Sequence, residues 1–142
     1  MSFDFKLANG SFSLGPDGDI QRVYGQDKLS QDVVKIIATA VGSNLLHKWY
    51  GSGISDNLIG SGLKREFLEA EIIRSIGYSL QNLKALQEQQ ERAGQILLPS
   101  EAIKSIEDIS ILPTNDPRAI GITIAIRTRS GRIAQETLAL RL

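Results

Sequence analysis

At 142 residues with 42% hydrophobic content, the chain is long enough to bury a core and too apolar to remain disordered. Its 16 basic residues balance 16 acidic ones and are scattered, which removes the electrostatic basis for binding nucleic acid or an anionic membrane. The absence of cysteine excludes disulfides, thiolate metal sites and cysteine nucleophiles.

The start, Met1 to Lys6, has no apolar stretch of signal-peptide length, and no later run approaches ~18 apolar residues. The expectation is a soluble protein made in the cytoplasm. Phe3 to Leu7 alternates in character and ends at Asn9-Gly10, which reads as an edge strand running into a turn. Gly15 to Asp19 is a turn cluster, and Ile20 to Val23 forms a short second strand. From Gln26 the period changes: Leu29, Val33, Ile36, Ile37 and Ala40 fall at helical spacing, with Gln31, Asp32 and Lys35 on the other side. Asp27 or Ser30 caps this helix and Gly42 stops it. The small-residue stretch from Gly51 to Gly62 contains Ile54, Leu58 and Ile59, so it reads as a packed loop or short helical turn. Trp49 and Tyr50 flank it, either as an exposed contact pair or buried beneath the loop.

A long helix follows from about Leu63 to Ala93, with an apolar stripe of Leu63, Phe67, Ile73, Ile76, Leu80, Leu83 and Leu86 and a stop at Gly94. Past Leu86 it turns polar. Its last two turns, carrying Glu88, Glu91 and Arg92, are expected to project from the domain or to meet another chain. Ser100 to Ile106 reads as one more short helix capped by Ser100. The end is β-structure: Ile109 to Leu112, stopped by Pro113, then Ile120, Ile122, Ile124 and Ile126 alternating with other residues, then Leu138, Leu140 and Leu142.

Arg129-Ser130-Gly131-Arg132 joins the last two strands. A two-residue turn would put the isoleucine and leucine rows on opposite faces, because a one-residue slip flips every side chain. A three-residue loop with Gly131 left-handed pairs Ile122 with Leu138 and Ile120 with Leu140, so both rows share one buried face. That register also sets Glu136 opposite Ile124. The expected fold is α+β: a small antiparallel or mixed sheet with a C-terminal hairpin, packed against two main helices, one of them long. One domain spans residues 1–142, without internal repeats.

Chemistry is sparse. His47 is the only histidine, so a metal site would rest on carboxylates alone, and no metal or cofactor is expected. Asp17-Gly18-Asp19 lacks the later ligands of a calcium loop and reads as a turn. The glycines from Gly51 to Gly62 lack the Gly-Lys-Ser/Thr of a phosphate cradle, and no Gly-x-Ser-x-Gly elbow occurs. Glu66 and Glu69 share a helix face and could flank a glycosidic bond. Acidic residues in the first turns of a helix have a simpler reason, the favourable helix dipole, so both are read as a charged outer face.

In order and spacing, Asp19-Ile20, Gly25, the helix carrying Gln31-Asp32 and Thr39, Gly42 and Tyr50-Gly51-Ser52 resemble the baseplate wedge family of contractile-tailed phages. That family is sometimes labelled tail-lysozyme-like. The long helix and final hairpin continue the resemblance, which spans about residues 15 to 142. Ala40 and Trp49 stand where many members have proline, and Glu91-Arg92-Ala93 stands where many have Glu-Pro-Arg. The resemblance implies a structural, non-enzymatic virion tail subunit, six copies per particle, docked on other baseplate wedge proteins and near the tail tube or hub. The same domain serves bacterial contractile injection systems, where it would be cytoplasmic. Wedge contacts would involve Tyr50, Gly51, Ser52, Glu88, Glu91 and Arg92. Sheath assembly would start on the last strand, through Ile133, Gln135, Thr137, Ala139 and Arg141. A peptidoglycan-cleaving tail lysozyme is the alternative.

Overall fold

A computed structural model describes residues 3–8, 11–12, 14–54, 64–112, 114–116 and 118–141. The elements run β1 (Asp4–Phe5), β2 (Leu7–Ala8), β3 (Ser11–Phe12), β4 (Arg22–Val23), α1 (Gly25–Ala38), α2 (Arg65–Arg92), β5 (Ile103–Leu112), β6 (Ala119–Thr128) and β7 (Ile133–Arg141). The fold is α+β. The expected Asn9-Gly10 turn, Leu58, Ile59, the start of the long helix at Leu63, Pro113 as a strand stop and Leu142 lie outside the described residues.

Both helices cover one face of a three-stranded antiparallel sheet ordered β5-β6-β7. Ile120, Ile122, Ile124 and Ile126 of β6 are fully buried there, against Leu29, Val33 and Ile36 of α1 and Ile72, Ile76 and Leu80 of α2. Leu138 and Leu140 pack on the same core, and the register pairs Ile122 with Leu138 and Ile120 with Leu140. The three-residue loop is present as expected. Gly131 takes φ +87°, its N–H donates to the Thr128 carbonyl at 3.0 Å, and the Thr128 N–H donates to the Arg132 carbonyl at 2.9 Å.

Several expectations are corrected. The segment from Ser100 is no helix: a turn at Pro99–Glu101 leads into β5, which begins at Ile103 and is much longer than the strand expected from Ile109. The α2 stripe is Leu68, Ile72, Ile76, Leu80, Leu83 and Gln87, whereas Phe67 is 62% exposed on a neighbouring line of the helix and Ile73 is half-buried. Neither expected cap closes α1, whose N-cap is Tyr24 without a side-chain bond. Asp27 sits in the first turn, where the dipole favours it, and Ser30 lies further along, facing β7. Ala40 falls beyond the helix, in a parallel bridge with Ser52.

The last two turns of α2 do not project. Gln87, only 2% exposed, donates from Nε2 to the Glu101 carbonyl and accepts the Ile103 N–H at Oε1, both at 2.8 Å. One side chain thereby satisfies two buried backbone groups at the first turn of the sheet, where an unmet partner is costly. Glu91 pairs with Arg129 of the β6–β7 loop at 2.6 Å, tying the helix end to the hairpin.

At the N-terminus, β1 pairs with β4, and β2 pairs with β3, a strand the sequence pattern did not indicate. Gln31 fastens this end to α1: its Nε2 donates to Asp4 and to the Phe5 carbonyl, and its Oε1 accepts the Leu7 N–H.

Candidate functional site

The two outer strands of the sheet present different edges. Along β5 the pairing with β6 slips between Ile103 and Ser105 and again between Ile106 and Asp108, which makes Lys104 and Glu107 the extra residues of two bulges. Lys104, Glu107 and Asp108 are exposed. Glu107 accepts hydrogen bonds from Arg127 Nε at 2.8 Å and Ser105 Oγ at 2.9 Å. Bulges and charges are the devices by which sheet edges resist a further strand.

Strand β7 has neither device on its outward-facing residues from Ile133 to Ala139. Its register with β6 runs without interruption from Arg127–Ile133 to Ala119–Arg141. The Thr128–Arg132 bond sets the ladder's parity: even-numbered residues of β7 turn N–H and C=O towards β6. Ile133, Gln135, Thr137, Ala139 and Arg141 therefore turn theirs outward. The side chains of Ile133, Gln135, Thr137 and Ala139 are exposed, uncharged, and stand on the face away from the helices. The sequence-selected strand residues thus come together as one edge, and among the described residues no strand pairs with its outer side.

Glu136 is the buried-face exception in β7, opposite Ile124. Its carboxylate accepts the Ser30 hydroxyl of α1, which answers the polar group that the register places beneath the helix. This contact anchors β7 without touching its outward backbone.

The residues assigned to wedge contact do not form one surface. Gly51 and Ser52 are buried, so an external contact through them is corrected to an internal joint. The Ser52 N–H donates to the Thr39 carbonyl at 2.8 Å and Ser52 Oγ to the Ile37 carbonyl at 2.6 Å, while Ser79 Oγ of α2 donates to the Gly51 carbonyl at 2.9 Å. Glycine is required at position 51: φ is +119°, and a Cβ would stand 2.5 Å from the Thr39 carbonyl oxygen. Tyr50 is half-buried against the core, and Trp49 is half-buried and stacks obliquely on His47 at 5.3 Å. Glu88 is half-buried and Arg92 exposed on the last turns of α2.

Beside Tyr50 lies a polar cluster of Asp4, Lys28, Asp32 and Lys35. Lys28 and Asp32 pair at 2.8 Å, and Lys35 bridges Asp32 and Asp4. Burial pushes the Asp4 carboxyl up, but the Lys35 ammonium, with the Phe5 N–H and Gln31, outweighs it and holds the carboxyl below its ordinary range. Burial likewise opposes the charged Lys35, yet its two carboxylate partners raise it. Burial raises the Tyr50 phenol. Each group is matched inside the cluster, which makes it a latch for the N-terminal strands.

An open groove of about 900 Å³ runs between those strands and α1, bordered by Lys6, Tyr24, Asp27, Gln31 and Glu136. Glu66 and Glu69 do not border it; Glu66 is exposed and Glu69 pairs with Arg65 at 3.1 Å. Among the described residues no group of three or more His, Asp or Glu is placed to hold a metal ion, and no helix is long and apolar enough to cross a membrane.

No protein-family model matches the sequence, and no curated protein matches it. Among solved structures, the chain is similar to a Geobacter sulfurreducens protein provisionally named a tail lysozyme, with a TM-score of 0.59 and 17% identity. The likeness covers 82% of this chain and 89% of that one. The likeness shows a shared fold.

Proposed function

We propose that the chain is a structural subunit of a contractile tail, a baseplate wedge protein that starts sheath assembly by accepting a strand at β7. The observation that carries this reading is the contrast between the two sheet edges: β5 is bulged and charged, whereas β7 offers an unbroken outward ladder whose outward residues from Ile133 to Ala139 are uncharged. In strand addition the main chain supplies affinity and alternate side chains select the partner. The tail association of the similar fold and the order of motifs from Asp19 to Ser52 supply the setting. Tail sheath subunits would take the β7 edge. Other wedge proteins would meet Glu88 and Arg92 on α2, with Glu91 engaged by Arg129. Six copies would stand around the tail axis at the baseplate of a virion or of a bacterial injection system.

Ala139→Pro tests this reading. The Ala139 N–H points outward, so proline removes a donor needed only by the added strand. The expected outcome is a folded domain with modest loss of stability, wedges that form, and sheaths that fail to polymerise. Normal sheaths on baseplates carrying this folded variant would overturn it.

A second reading, peptidoglycan cleavage, has one support, the name given to the similar Geobacter protein. A turnover assay with purified protein separates the two. The structural reading expects no activity above a buffer blank, and activity that disappeared on replacing Glu66 and Glu69 with Gln would favour the lysozyme.

A further inference from the structure

We infer that β7 is also self-complementary, and that a second copy of this chain occupies the edge when no tail partner does. This inference rests on the same edge as the proposed function and adds a homotypic partner to it. The outward groups of Ile133, Gln135, Thr137, Ala139 and Arg141 are spaced two residues apart, so an antiparallel copy can meet them only in registers that set odd positions against odd ones. The register with the greatest overlap places its twofold axis at Thr137. Thr137 then meets its own equivalent, Gln135 meets Ala139, and Ile133 meets Arg141. Every outward N–H and C=O from 133 to 141 gains a partner, and the two sheets join as one of six strands.

The chemistry of both faces permits this. On the open face, Thr137 opposite Thr137 is a favourable cross-strand pair, and Gln135 opposite Ala139 brings no like charges together. On the helix-covered face Glu136 falls opposite Leu138, so the two Glu136 carboxylates are not directly opposed, and each is already bonded to Ser30 of its own chain. The β5 edge is guarded against the same pairing, because its bulges disturb the spacing of the outward groups and Lys104, Glu107 and Asp108 stand along it. The contact is isologous and closes at two copies. Occupation of the edge by a copy would also keep it from premature polymerisation.

The test uses the twofold axis, where a residue at position 137 meets itself. Sedimentation velocity on the full chain, across a concentration series reaching about 1 mM, should show a reversible monomer–dimer equilibrium. Thr137→Lys and Thr137→Glu should each be monomeric over that range while retaining the wild-type circular dichroism spectrum, and an equimolar mixture of the two should dimerise. Thr137→Val, which keeps the strand and adds no charge, should dimerise like the wild type. A wild-type chain that stays monomeric overturns the inference. So do charged variants that self-associate as the wild type does, or a mixture that fails to associate while Thr137→Val dimerises. Strand addition in the tail survives any of these results, since its own test is sheath growth on the Ala139→Pro baseplate.

Discussion

Strands β5 and β7 flank the same central strand and are of nearly equal length, 10 and 9 residues, yet they are finished in opposite ways. β5 is tied at its start by Gln87, lies under α2, bends at two bulges and carries three exposed charges. β7 is straight in register and is held to α1 through Ser30 and Glu136. A sheet that buries one face has two edges to protect, and this one protects only one of them. The difference separates the part of the sheet that stabilises the domain from the part open to another chain.

The largest effect should come from breaking the anchored side. Gln87→Ala leaves the Ile103 N–H and Glu101 carbonyl buried without a partner, and each such group costs about 1–3 kcal/mol. The combined loss should be about 2–4 kcal/mol, read as a lower denaturant midpoint. Gln135→Ala, on the open face of β7, should stay within about 0.5 kcal/mol. Equal losses at the two glutamines would erase the distinction between the strands.

A smaller effect should follow from making the edges alike. Replacing Lys104, Glu107 and Asp108 together with Thr removes the charges of β5 but not its bulges. Folding should be little affected, and a new concentration-dependent association should emerge that persists in combination with Ala139→Pro. Association abolished by that proline would show that it still ran through β7, and that the bulges alone suffice to guard β5.

The hairpin was legible in the sequence because only one loop length puts the β6 isoleucines and the β7 leucines on the same face, and Gly131 supplies the left-handed residue that loop needs. The outward set on β7 followed from the same parity. β5 misled for a physical reason. Two bulges stretch the spacing of its core residues to Ile103, Ile106, Ile109 and Ile111, and the first three recur every third residue, as on a helix. In α2, Phe67 and Leu68 are adjacent apolar residues that could each begin a stripe, and packing chose Leu68. Gln87 carried a signal that went unused: it continues the buried spacing of Leu80 and Leu83, so a polar residue there had to meet buried polar groups. The Tyr50-Gly51-Ser52 segment stands out in sequence, but nothing local reveals that its backbone closes on Thr39 and Ser79. Its conspicuousness reflects a joint between helices.

The smallest expected effect concerns the guard on β5 in acid. Hydrogen bonds from Arg127 and Ser105, with the nearby charges of Arg127 and Lys104, hold the Glu107 carboxyl below its ordinary value of 4.5 against the opposing effect of desolvation. A depressed carboxyl contributes fully above its unfolded value, and the contribution fades only as pH falls through the lower folded one. Glu107 should therefore stay charged to a lower pH than an ordinary carboxylate. In the Ala139→Pro background, where β7 cannot take a strand, light scattering during an acid titration should begin to rise at a lower pH than an unperturbed carboxylate would set. Arg127→Met removes the largest cause of the depression while retaining an unbranched side chain in β6, and it should shift the onset upward towards 4.5. Lys104 and Asp108 stand on the same edge in both proteins, so the difference between the two onsets reads Glu107 and not the strand's total charge. Identical onsets would mean that the bulges guard β5 without help from this carboxylate, and the contrast between the edges would then rest on backbone geometry alone.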